Sequence, residues 1–306
     1  MMAREVRVQA VRFVLVLACF AWAARAQQNI DFSKIVIKTT QVSDGLYVLE
    51  GAGGNITVFA GSDGVLLVDA QYAPLHQKIL DAVAKISNQP IRFLINTHWH
   101  GDHTSGNELM AKAGVVLIAH ENVAKRLREG RPAAGAAPGV PPAPKDAIPV
   151  ITYTDSLTLR FNGDEISVIH PEPAHTDGDS IVYFRRANVI ATGDIPAAIR
   201  YGNIDIASGG SINGNIAALE RFLRMGDANT RFIPGHGGPI STKKDVQEQR
   251  DMLVAVRDKV QNAIRAGKTL PEIIASKPTA EFDEKRKGAG NPDQFVTLIY
   301  NDLSRK

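Results

Sequence analysis

A chain of 306 residues, 44% hydrophobic and 22% charged, can bury a full core, which excludes a disordered or low-complexity protein. The formal charge of +3 is concentrated at one end: without Arg4, Arg7, Arg12, Arg25 and Glu5, 31 basic residues face 31 acidic ones. No dense Lys/Arg stripe with interleaved aromatics is left to argue for a nucleic-acid partner.

Residues 1–26 read as a secretory signal peptide, with Arg4, Arg7 and Arg12 ahead of an apolar run over 13–24 and the small-x-small site Ala24-Arg25-Ala26. The run is shorter than the roughly 20 residues of a spanning helix. It also continues past Cys19, and Leu17 fits a lipoprotein signal poorly. Cleavage after Ala26 is therefore expected, giving a periplasmic or secreted chain over 27–306, a single domain without membrane insertion. Cys19 is the one cysteine, so the mature chain has no disulfide and no thiolate ligand. Any metal must be held by histidine and carboxylate.

Residues 35–70 form short β-rich runs (IVIKTT, DGLYVLEG, NITVFAGSDG, VLLVDA), the pattern of a four-stranded antiparallel meander. Ser62-Asp63-Gly64 marks a hairpin, and Gly51, Gly53 and Gly54 a tight or mobile connection. Leu75, Ile79, Leu80, Val83 and Ile86 recur at helical spacing and predict a helix over 74–86. A strand over 91–95 follows, then helices over 107–113 and 121–129 flanking a strand over 115–119. Residues 130–149, rich in Pro, Ala and Gly, predict a long surface loop, either a passive linker or a flap over a site.

Beyond that loop the strand pattern repeats in VITY, SLTLRF, EISVIH, SIVYFRR and NVIATGD, with Asn162-Gly163 and Ala187-Asn188 at turns. Helices over 212–225, 243–266 and 292–304 follow, with a strand over 230–233. Two β-rich halves, each with helices on one side, suggest an α+β four-layer αββα sandwich, although periodicity alone leaves other α+β folds open.

Three of the eight histidines fall within six residues beside a carboxylate, in THWHGDHTSGN after the 91–95 strand. His98 and His100, two apart in an extended segment, project to one side and can share a metal at about 2.0–2.1 Å. Asp102 and His103, redirected at Gly101, can serve a second metal about 3.5–4 Å away. His76, His120 and His170 lack such company and read as structural or exposed.

H-x-H-x-D-H after a strand resembles the metallo-β-lactamase superfamily, and its remaining motifs follow in order: Asp69 in VLLVDA, His175 in PEPAHTDGDS, Asp194 in VIATGD and His236 in FIPGHGG. The resemblance covers about residues 40–240. It implies a first zinc site of His98, His100 and His175, a second of Asp102, His103 and His236, and Asp194 bridging the two ions. Asp69 looks like a residue that hydrogen-bonds the metal loop and fixes its shape. It further implies a hydrolase acting on a small-molecule carbonyl substrate, with Asp102 as the catalytic candidate that holds or shuttles a proton beside an activated water.

The substrate is less determined. His103 resembles the β-lactamase branch with three histidines, which makes a β-lactam the first choice. Asp194 stands where the familiar β-lactamases carry Cys or Ser and resembles instead the thioesterases, lactonases and nucleases, so a lactone or thioester is the alternative. A zinc-binding protein without turnover is a third reading, against which the complete ligand set argues. Ala197 occupies the position of a substrate-binding lysine, leaving Arg200, Tyr201, Asn203, Asn213 and Asn215 as polar candidates. Oligomeric state is left open.

Overall fold

The computed structural model describes residues 30–132, 139–238 and 240–305. Residues 1–26, expected to be a signal peptide, and the middle of the 130–149 loop lie outside the described residues. Residues 30–35 belong to a separate unit, in which Asp31 caps a 3₁₀ turn at Phe32–Lys34. Everything below concerns residues 36–305.

The meander forms as β1 (Lys38–Ser43), β2 (Leu46–Glu50), β3 (Ile56–Gly61) and β4 (Gly64–Val68), each antiparallel to the next. β1 begins three residues later than the hydrophobic run suggests, because pairing with β2 starts at Lys38 opposite Glu50 and runs to the turn at Gly45, φ 67°. After helix α1 (His76–Ile86), β5 (Ile91–Ile95) joins β4 in parallel. The one-turn helix α2 (Gly101–Thr104) and α3 (Asn107–Lys112) lead to β6 (Val116–His120) and α4 (Glu121–Glu129).

β7 (Ile151–Tyr153) departs from expectation. Sequence pattern assigns VITY to the second β-rich half, whereas β7 pairs in parallel with β6 and closes the seven-stranded first sheet. The excursion from α4 to β7 acts as a crossover connection, which brings the chain back to the same sheet. The loop itself is partly packed: Arg131 and Val140 form an antiparallel bridge, a 3₁₀ turn covers Lys145–Ala147, and Ala143 and Ile148 pack near Trp99.

The second sheet contains β8 (Ser156–Phe161), β9 (Asp164–Ile169), β10 (Ile181–Phe184) and β11 (Val189–Ala191), followed by α5 (Ile212–Arg224), β12 (Arg231–Ile233) and the short β13 (Ser241–Thr242). Asn162 and Gly163 both take positive φ in the β8–β9 hairpin, as a primed turn requires. β11 and β12 are parallel, so both end on the same edge of the sheet. The chain closes with α6 (Lys243–Arg265), α7 (Leu270–Ala275), α8 (Ala280–Asp283) and α9 (Pro292–Leu303).

Four layers follow from which faces are buried. Leu46, Phe59, Leu66, Ile95 and Ile118 of the first sheet meet Ile166, Val168, Val182 and Phe184 of the second in one apolar cluster. Phe59 and Phe184 pack edge to face across it at 5.2 Å, a contact worth about 0.5–1.5 kcal/mol beyond area burial. The opposite face of the second sheet, with Ile181, Ile190 and Phe232, is covered by Leu219 and Phe222 of α5, Leu253 and Val256 of α6 and Phe295 of α9. Across the first sheet, Ala119 of β6 meets Val123 and Leu127 of α4. No helix among the described residues is long and apolar enough to cross a membrane.

Candidate metal centre

The loops after β4, β5, β9, β11 and β12 meet, and between them they carry every residue that the sequence pattern singles out as a ligand. His98, His100, His175 and Asp194 form one group and Asp102, His103 and His236 another; within each, the candidate ligand atoms lie within 4.8 Å of one another.

In His98-Trp99-His100 the two-residue period of extended backbone sends the histidines one way and the tryptophan the other. Trp99 is buried against Ala119, Val123 and Leu127, and its indole N–H donates to Ser208 Oγ at 3.1 Å. His98 Nε2 and His175 Nε2 then lie 3.1 and 3.0 Å from His100 Nδ1. Nitrogens bound to one tetrahedral ion at 2.0–2.1 Å stand roughly 3.3 Å apart, so the three rings already frame such an ion. Asp102 and His103 occupy the single turn of α2 rather than an irregular loop.

The second nitrogen of each buried ring sets its tautomer. His98 Nδ1 donates to Thr97 Oγ1 at 3.0 Å, whose own hydroxyl donates to Asp69 at 2.7 Å. His175 Nδ1 donates to the Asn203 carbonyl at 3.0 Å, His100 Nε2 to Asp205 at 2.8 Å and His103 Nδ1 to Asp69 at 2.8 Å. In the neutral ring the nitrogen facing the centre keeps its lone pair, as a metal ligand requires.

Asp69 also accepts from the Thr97 N–H at 2.8 Å, so one buried carboxylate fixes both histidine-bearing segments, as expected from its place at the strand end. Its φ of 67° is a costly conformation for a non-glycine residue, offset by these three hydrogen bonds. Asp179 shapes the His175 loop in the same way, accepting from His175 N–H at 2.7 Å and from Thr176 N–H and Oγ1. Glycine permits the close approaches. A Cβ on Gly54 would lie 2.2 Å from the His103 ring, and one on Gly235 2.3 Å from Asp194 Oδ1.

Asp194 stands between the two groups. Its Oδ1 is 3.3 Å from His103 Nε2, while Oδ2 is 3.3 Å from His236 Nε2 and 3.6 Å from His175 Nε2. Among the described residues Oδ1, although buried, receives no well-aligned hydrogen bond. A buried carboxylate oxygen without a well-aligned donor, ringed by imidazole nitrogens, calls for positive charge.

The charges agree. Burial disfavours ionisation of Asp194, yet the His103 charge and the close His103 and His236 rings hold its carboxyl well below the usual range. Burial likewise opposes protonation of His103, but Asp69 and Asp194 lift it well above an ordinary imidazole. His236, opposed by burial and aided by Asp102 and Asp194, is raised to about 9. His98 is pushed well below normal, first by burial and then by the His103 charge. Protons on His103 and His236 thus supply in the bare chain the positive charge that metal ions would supply.

The other polar candidates separate. Arg200 lines a cavity of about 330 Å³ whose wall includes His236, Gly237 and Gly290, and among the described residues its guanidinium has no carboxylate partner. Asn203 reaches the centre through its backbone carbonyl. Tyr201 is buried against Phe295 with its hydroxyl on Asp283, Asn213 pairs with Arg257 at the surface, and Asn215 holds the Ala174 carbonyl. None of these last three faces the centre through its side chain, because each is engaged by the helical layer or by loop backbone. His120 is a helix cap stacked on His170 at 3.7 Å, and His76 opens α1, all three away from the site. Asp205, Asp179 and the reciprocal Asn96–Asn107 amide pair were not singled out by sequence pattern.

A two-sheet sandwich with a histidine and aspartate cluster at its strand ends defines a class of metal-dependent hydrolases. Residues 49–257 match the family model of the metallo-beta-lactamase superfamily, and the chain belongs to that superfamily, whose members are typically dinuclear. It is 22% identical to the metallo-beta-lactamase type 2 of Bacteroides fragilis over 74% of this chain and 88% of that protein. It is 24% identical to a linear primary-alkylsulfatase of Pseudomonas sp. over 69% of this chain, spanning about half (47%) of that longer protein. Among solved structures, the sec-alkylsulfatase Pisa1 from Pseudomonas sp. aligns with a TM-score of 0.65 at 22% identity, over 87% of this chain and 50% of that one. A metallo-beta-lactamase from Pontibacter korlensis aligns with a TM-score of 0.58 at 19% identity, over 71% and 98%.

Proposed function

We propose that this chain is an exported dinuclear zinc hydrolase of a small-molecule carbonyl substrate, a β-lactam in the first reading. The observation that carries it is the set of four histidine rings, each held from behind through its second nitrogen so that the other nitrogen faces a shared centre containing Asp194. His98, His100 and His175 would hold one ion, Asp102, His103 and His236 the other, and Asp194 both. When bound, the ions supply Lewis acidity that activates water near neutral pH and polarises the scissile carbonyl.

The chain's own contribution is orientation and proton handling. Asp102, its carboxyl lowered despite burial by His236 and His103, stays ionised and able to take a proton at Oδ2. Arg200 gives the adjoining cavity its positive charge, suited to a substrate carboxylate. Asp194 in place of Cys or Ser favours a second reading, hydrolysis of a lactone or thioester, and the alkylsulfatase likeness adds sulfate esters to the panel.

The test is to express the full chain, sequence the N-terminus of the exported protein, measure bound zinc, and screen a chromogenic cephalosporin, a lactone, a thioester and an alkyl sulfate together. A chain starting at Gln27 with two zinc ions and cephalosporin turnover supports the first reading; lactone or thioester turnover alone supports the second. Retained zinc with no turnover of any substrate contradicts both.

A further inference from the structure

Asp205 is the centre of a small network reaching from the metal loop to the root of the Pro/Ala/Gly-rich segment. Its Oδ2 accepts from His100 Nε2 at 2.8 Å and from Ser208 Oγ at 2.6 Å, and its Oδ1 from the Ser208 N–H. Arg131 Nη1 lies 3.5 Å from the same Oδ2. Trp99, between His98 and His100, completes the loop through its hydrogen bond to Ser208. The guanidinium carbons of Arg126 and Arg131 lie 5.8 and 5.6 Å from its ring centroid.

The two arginines differ. Arg126 is tied bidentately to Asp177 at 2.7 Å through both nitrogens, a strong fixed pair. Arg131 has Asp205 as its carboxylate contact among the described residues, and its backbone is fixed by two hydrogen bonds to Val140 at 2.7 Å. Its guanidinium therefore meets the metal loop at Trp99 and, beside it, the carboxylate that holds His100.

We propose that Asp205 and Arg131 are positioning residues for the first metal: Asp205 holds His100 with Nδ1 toward the ion, and Arg131 acts on that ligand through Asp205. This rests on the proposed function, since it needs His100 to be a ligand. A carboxylate behind a ligating imidazole raises its basicity and fixes its rotation, and removing it typically lowers metal affinity about 10–100-fold. Arg131, partly exposed and farther away, modulates by the scale of a surface ion pair, about two- to fivefold.

The experiment uses the full chain stripped of metal and titrated with Co²⁺ alone, comparing the parent with Asp205→Asn, Arg131→Met and the double variant by visible absorption and chelator competition. Expected are about 10–100-fold weaker binding at one of two sites in Asp205→Asn, with an altered ligand-field spectrum. Arg131→Met is expected to weaken the same site about two- to fivefold, and to add nothing once Asp205 is Asn, because its effect passes through that carboxylate.

A parent that binds no Co²⁺ overturns the proposed function itself. Parental affinity in Asp205→Asn overturns the positioning role. An Arg131 effect that persists at full size in the double variant, or is absent from the single one, overturns the relay and leaves Arg131 as packing on Trp99. Should Asp205→Asn fail to fold, Asp205→Glu replaces it, keeping the charge while moving the carboxylate; an unchanged Co²⁺ spectrum there contradicts the proposal.

Discussion

The two candidate ligand groups are built differently. In the first, His98, His100 and His175 are each anchored by their second nitrogen on a separate partner, Thr97, Asp205 and Asn203, so the ring orientations exist before any ion arrives. In the second, His103 is anchored on Asp69, but Asp102 and His236 face each other across 3.1 Å at a partly exposed rim, and no comparable anchor holds His236 among the described residues. The first group is preorganised by hydrogen bonds; the second is held together by charges that an ion would replace. A preorganised site loses its metal last, so dialysis against a chelator is expected to empty the Asp102–His103–His236 group first.

Asp194 belongs to both groups, and replacing it breaks the comparison altogether. Asp194→Ala is expected to give the largest effect, turnover at background and metal content below two, read by elemental analysis. Asp102→Asn removes one candidate ligand of the rim group and the proposed proton acceptor, and is expected to lower kcat by about 1,000-fold while at least one metal stays bound. Near-parental kcat would contradict its assigned role.

Acidity sharpens the contrast. The His236 imidazole of the bare chain sits at about 9, so below that pH an ion entering the rim group must displace a proton. Affinity there falls as pH falls, by about 100-fold from pH 8.5 to 6.5 for each proton displaced, and His103, also lifted well above an ordinary imidazole, adds a second. His98, held neutral by burial, contributes no such penalty to the first group. Zinc competition at the two pH values should therefore spread the two binding constants at low pH; parallel shifts would count against the distinction.

Smaller effects test the surroundings. Gly54→Ala drives a methyl into the His103 ring and is expected to cost about 1–3 kcal/mol in chemical denaturation, together with weaker rim-site metal. Arg200→Met is expected to raise KM about tenfold for an anionic substrate and to leave KM for a neutral one unchanged. Equal KM changes for both would remove Arg200 from substrate binding.

The same contrast explains what the sequence made legible. His98 to His103 stand out because four candidate ligands crowd into six residues, and His175, Asp194 and His236 become readable through their order behind them. Asp205 is hidden, since a lone aspartate before a glycine-rich stretch looks like a cap, and it does cap a 3₁₀ turn at Ile206–Ser208. The long helices and β2 to β6 show through their periodicity. β7 does not declare its sheet: three residues, of which only Tyr153 is buried, cannot say which neighbour they pair with. The choice is made by the crossover through α4.

The most direct test of a shared, two-ion centre is anomalous diffraction at the zinc edge from crystals of the full chain grown with zinc. Two peaks are expected, one among His98, His100 and His175 and one among Asp102, His103 and His236, with Asp194 contacting both. A single peak, or two peaks of which Asp194 touches only one, would contradict the account.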